Sequence, residues 1–115
     1  MDGLEIGNYE GDGYKPLINA EKFLLAEIRW AKRFDKNGID HLSVHLTSDE
    51  AFVLLQGEAT LLIGNPPEKV ELEKFRYYNV KAGTYHGIVV SKDARVLIIE
   101  NPGTVNDINV PYKYS

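Results

Sequence analysis

Short runs in which apolar and polar residues alternate recur along most of the chain. Over residues 26–34, Ala26, Ile28, Trp30 and Phe34 fall on one side of an extended chain and Glu27, Arg29 and Arg33 on the other. That is the two-residue period of a strand with one buried face. A helix over residues 21–30 would also line up Leu24, Ile28 and Ala31, but Asn37-Gly38 just downstream is a hairpin-turn dipeptide and favours the strand. Residues 41–46 alternate again, with His41, Ser43 and His45 on one face and Leu42, Val44 and Leu46 on the other. A second apolar run then leads to Gly57. A tight turn at Thr47 and Ser48 would set Leu46 opposite Asp49 and His45 directly across from Glu50, with Cβ atoms roughly 5 Å apart.

Residues 59–63 form a nearly continuous apolar strand closed by Gly64-Asn65-Pro66-Pro67. Residues 69–75 alternate Val70 and Leu72 against Glu71 and Glu73, a pair that reads as a solvated sheet face. Strands over 77–80, 84–91 and 95–101 follow, separated by Lys81-Ala82-Gly83 and Lys92-Asp93-Ala94. Past Pro102-Gly103 no clear element is visible. Residues 1–18, rich in Gly and Tyr, read as an arm or irregular strand ahead of a single domain over 19–115. Short strands broken by turn residues, with hardly any helix, predict an all-β sandwich or barrel.

Composition narrows the chemistry. A chain of 115 residues buries roughly two thirds of its unfolded surface, enough for one real core. The net charge of −4 and pI near 5.3 leave no basic stripe, so neither nucleic acid nor an anionic membrane is an expected partner. No cysteine is present, so a metal would be held by His, carboxylate or water. The first residues lack the basic start and apolar segment of a signal peptide, and no run reaches transmembrane length, which makes a cytoplasmic protein the expectation.

The spacing His45-x4-Glu50-x6-Gly57, followed by Gly83-x-x-His86, resembles the two motifs of the cupin superfamily over about residues 37–100. The first motif reads G-x5-H-x-H-x3,4-E-x6-G and the second G-x5-P-x-G-x2-H-x3-N. This resemblance implies a double-stranded β-helix, the jelly-roll barrel of small single-domain cupins. The sequence departs from the pattern at Ser43, where the first histidine would stand, at Lys81 for the proline, at Val90 for the asparagine and at Asn37 for the opening glycine. Carried over by position, the resemblance implies His45, Glu50 and His86 as metal ligands, with Ser43 in the fourth place. Two imidazoles and a carboxylate suit Fe or Zn, and Mn, Ni or Co could also be held. The alternative is a metal-free hydrogen-bonded cluster in which a histidine acts as base and Glu50 orients it.

His41 shares the face of His45, yet four residues of strand span roughly 13 Å, so it reads as a substrate contact at the barrel mouth rather than a ligand. Ser43 beside His45 lacks the elbow of a serine nucleophile. Phe52, Leu54, Ile88 and Val90 share the parity of the site and would line an apolar cavity, with Gln56 at its rim and Tyr77 or Tyr78 either there or, the favoured role, packed in the core; Tyr85 points away. Leu42, Val44, Leu46, Ala51, Val53 and Leu55 make the opposite face too apolar to leave in water, so the arm or a second copy should cover it, and a homodimer is expected. Three functions fit: a metal-dependent enzyme acting on a small polar molecule, a metal-free sugar isomerase or epimerase, and a non-catalytic small-molecule-binding protein.

Overall fold

The computed structural model describes residues 2–103 and 108–115. Its strands run in the order β1 (Tyr14–Asn19), β2 (Leu24–Arg29), β3 (His41–Val44), β4 (Glu50–Gln56), β5 (Ala59–Gly64), β6 (Pro67–Glu71), β7 (Tyr77–Val80), β8 (His86–Val90), β9 (Arg95–Glu100) and β10 (Ile108–Pro111), with one turn of 3-10 helix at Lys32–Phe34. They form two antiparallel five-stranded sheets. The first has the order β1-β2-β9-β4-β7 and the second β10-β3-β8-β5-β6.

Alternation places the core between the sheets. In β9, Val96 and Ile98 point inward and are essentially unexposed, and the pairing of Ile98 with Phe52 and Val96 with Leu54 continues that layer into β4. Ala26 and Ile28 extend it through β2, and Leu61, Ile88 and Val90 meet it from the second sheet. The expected all-β jelly roll is the fold observed. Among the described residues no helix is long and apolar enough to cross a membrane.

Two expected hairpins are instead crossings between sheets. β3 pairs with β8 and β10, whereas β4 pairs with β7 and β9, so His45 and Glu50 are not cross-strand neighbours. Likewise β2 and β3 lie in different sheets, and Asn37-Gly38 closes a turn after the 3-10 helix rather than a hairpin. The Asp35 side chain accepts the Asn37 N–H at 3.0 Å, and its carbonyl accepts those of Gly38 and Ile39, both at 2.9 Å. A Cβ on Gly38 would lie 1.9 Å from the Lys32 carbonyl oxygen, so this turn accepts only glycine. The strand expected over 26–34 accordingly stops at Arg29, and Trp30 leaves it half-buried, donating its indole N–H to Asp35 at 3.1 Å.

Residues 14–18 of the stretch read as an arm or irregular strand belong to β1, and the tail that showed no element supplies β10. The apolar face expected to be continuous from Leu42 to Leu55 is divided between the sheets. Leu42 and Val44 are buried by the chain itself, Leu42 gathering with Ile39 and Leu62 around Gly87. Ala51, Val53 and Leu55 lie half-buried on the outside of the first sheet, where Ala51 and Val53 pair with Ile99 and Leu97.

Candidate metal centre

The sheets meet the site from opposite sides. His45 follows β3 and His86 opens β8, both on the second sheet, while Glu50 opens β4 on the first. His45 Nε2 lies 3.3 Å and His86 Nε2 2.8 Å from the same oxygen, Glu50 Oε1. The ring centroids are 5.3 Å apart, all three side chains are buried, and one ligand atom from each falls within 4.8 Å of the others.

Local hydrogen bonds hold the crossing that delivers His45 and Glu50. Gly83 N–H donates to the His45 carbonyl at 2.8 Å, and the Asp49 carboxylate accepts from Ala82 N–H at 2.8 Å and from the Asn79 amide at 3.0 Å. Ser48 Oγ accepts the Asn101 N–H at 3.1 Å. At the other end of β4, Gly57 has φ +76°, and a Cβ there would lie 2.7 Å from Ala94 Cα, which accounts for the glycine of the first motif.

Burial opposes ionisation of Glu50, but the hydrogen bonds and charges of His45 and His86 outweigh it and hold the carboxyl down at about 2. Glu100, paired directly with Glu50 across β4 and β9, goes the other way: burial, then repulsion from Glu50, pushes it up to about 7. Tyr14 donates to Glu100 Oε1 at 3.0 Å, while Oε2 is buried without a hydrogen-bond partner. Burial and the negative charge of Glu100 raise the Tyr14 phenol well above its ordinary value. His86 Nδ1 lies 3.0 Å from the Thr84 carbonyl, so it donates there, and Nε2 then faces Glu50 as the lone-pair nitrogen or as a second N–H. A carbonyl that fixes the Nδ1–H tautomer and leaves Nε2 toward the site is the arrangement that orients a histidine ligand. The donor set and the excess of carboxylate around an orphaned oxygen therefore fit a divalent cation.

A cavity of about 380 Å³ opens over the triad. Of the residues singled out from the sequence, His41, Ser43, His45, Glu50, Phe52, His86 and Ile88 line it. Ser43 pairs with His86 in register and donates its hydroxyl to Asn109 Oδ1 at 2.9 Å, while His41 Nδ1 lies 2.7 Å from Asp40. Leu54 and Val90 are instead packed in the core, deeper than the cavity. Gln56, at the far end of β4, donates to the Asp93 carbonyl and is not among the lining residues. Tyr77 is exposed, and Tyr78 packs against the core with its hydroxyl on the Glu73 N–H. Sequence reasoning missed Glu100, Tyr14 and Arg33, all of which line the cavity. Only Glu100 carried a signal, sharing the parity of Val96 and Ile98.

Solved structures share this architecture. A cupin-2 domain protein from Shewanella frigidimarina superposes with a TM-score of 0.62 at 12% identity, over 81% of this chain and 84% of its own. The fold is that of the cupins. KdgF from Halomonas sp. superposes on this chain with a TM-score of 0.62 at 18% identity, over 77% of this chain and 78% of its own. A cupin protein from Bacteroides fragilis gives 0.59 at 15%, over 90% and 87%. No protein-family model matches the sequence, and no curated protein does.

Proposed function

We propose that this cupin-fold chain holds a divalent metal ion, one of Fe, Mn, Ni or Zn, on His45, Glu50 and His86, and that it binds and acts on a small polar molecule in the cavity above. The observation that carries this reading is the convergence of three buried ligand atoms within 4.8 Å at a cavity of about 380 Å³, inside the size range of small-molecule sites. When bound, the ion would supply Lewis-acid chemistry toward a ligand oxygen. The chain's own part is to orient and enclose. Ser43 and His41 offer polar contacts, Phe52 forms an apolar wall edge-on to His86 at 6.2 Å, and the Thr84 carbonyl holds the His86 ring in place.

One observation favours a second reading, proton transfer without metal. Both ring nitrogens of His86 face acceptors, and Glu50 and Glu100 can share a proton beside them. Elemental analysis of protein purified without an affinity tag and reconstituted with Fe, Mn, Ni or Zn separates the two. Near-stoichiometric metal in the parent, lost in both His45→Ala and Glu50→Ala, supports the metal centre. Substoichiometric metal under every condition overturns it in favour of the proton-transfer cluster.

A further inference from the structure

We propose that Arg33 forms an anion subsite at the mouth of the cavity and that the molecule taken there carries a carboxylate group. The subsite rests on the cavity's role as a ligand site and not on the metal.

By alternation Arg33 should face away from Phe34. The 3-10 turn at Lys32–Phe34 brings both into the cavity lining instead. The guanidinium carbon lies 4.5 Å from the centroid of the Phe34 ring, which packs against the core, so the cation rests on an anchored face. Arg29 and Arg95 are both paired with Glu27, and Arg76 with Glu73; among the described residues no carboxylate is paired with Arg33. It is also the one Lys or Arg that lines the cavity, whose carboxyl groups are those of Glu50 and Glu100. An anion entering such a space therefore meets its favourable charge at the mouth.

The lining combines Ile39, Phe52, Ile88 and Ile98 with the polar Tyr14, His41 and Ser43, so a small carboxylate with one flat or apolar face fits beside the guanidinium. A singly charged carboxylate matches the guanidinium fork while adding less repulsion toward Glu50 and Glu100 than a phosphate dianion would.

Benzoate, benzamide and phenyl phosphate serve as probes, titrated into the EDTA-treated protein and followed by amide chemical shifts. The parent should take benzoate roughly tenfold or more tightly than benzamide. Arg33→Gln should remove that preference by weakening benzoate far more than benzamide, and Arg33→Lys should keep part of it. Arg33 is exposed, so dispersed spectra of both variants are expected and report the fold directly. Binding of neither probe, equal binding of both by the parent, or a preference that survives Arg33→Gln overturns the subsite. Phenyl phosphate bound more tightly than benzoate overturns the carboxylate assignment. Metal content is measured separately: an Arg33-dependent preference in a chain that takes up no metal removes the metal centre and leaves the subsite standing.

Discussion

Replacing Glu100 by Gln should make the metal-free protein more stable at neutral and alkaline pH. Glu100 sits beside Glu50 with Oε2 unpartnered, and its folded-state value of about 7 lies above the ordinary 4.5. The native state therefore holds this proton more tightly than the unfolded chain. Stability is full below pH 4.5 and declines as the pH rises through about 7. A displacement of that size corresponds to roughly 3 kcal/mol above the upper value, and relaxation of the site lowers the expected effect to about 1–3 kcal/mol. Gln keeps an acceptor for the Tyr14 hydroxyl and turns an amide N–H toward Glu50, so it supplies without titration what the shared proton supplies in the parent. Urea denaturation of parent and variant in EDTA, at pH near 4.5 and near 8, gives the comparison, and a thermal shift of about 4 °C per kcal/mol should accompany it. The gap between the proteins should open as the pH rises. A variant no more stable than the parent near pH 8, or a gap that is the same at both pH values, would refute the crowding of Glu50 and Glu100.

Phe52, 2% exposed, packs in the core between the sheets and forms part of the cavity wall, and Phe52→Ala should cost about 3–5 kcal/mol by urea denaturation. Glu27 is buried on the outside of the first sheet, accepting from Arg29 Nε at 2.7 Å and from Arg95 Nε and Nη2 at 2.8 and 3.1 Å. Burial opposes its ionisation, but the two arginines hold its carboxyl below the usual range. Its contribution is present above the ordinary 4.5 and is lost as the pH falls through the lowered value, so Glu27→Gln should cost about 1–3 kcal/mol near pH 7 and much less in acid. We further propose a homodimer through the outer face of the first sheet, where Ile99 is 47% exposed beside Ala51 and Leu25. Light scattering should give twice the chain mass at micromolar concentration and the single mass for Ile99→Lys; a monomeric parent sinks this.

The elements legible in the sequence were those with one buried face. The interior strands β4, β5, β8 and β9 alternate or are apolar throughout, and their expected spans agree with the observed ones to within two residues at most ends. Of the edge strands, β1 was legible only as an arm or irregular strand and β10 not at all, because YKPLIN and INVP carry little apolar alternation and owe their extended form to pairing with β2 and β3. Turn dipeptides mark where the chain bends, not which strand it joins next, so two sheet crossings read as hairpins. His45 and Glu50 converge all the same, since inward parity on either sheet leads to one interior. Arg33 was hidden because its orientation depends on a single 3-10 turn that alternation does not foresee.

The division of the site between the sheets has a mechanical consequence. Both histidines are carried by the second sheet and both interior glutamates by the first, so no bond of the triad lies within one sheet. Whatever bridges them, proton or metal, acts as a clasp across the open end of the barrel, resisting the separation of two layers whose interior contact is otherwise the apolar core. Closing the clasp should slow amide exchange at once in β3 and β8 on one side and in β4 and β9 on the other, strands that share no ladder, and opening it should release all four together.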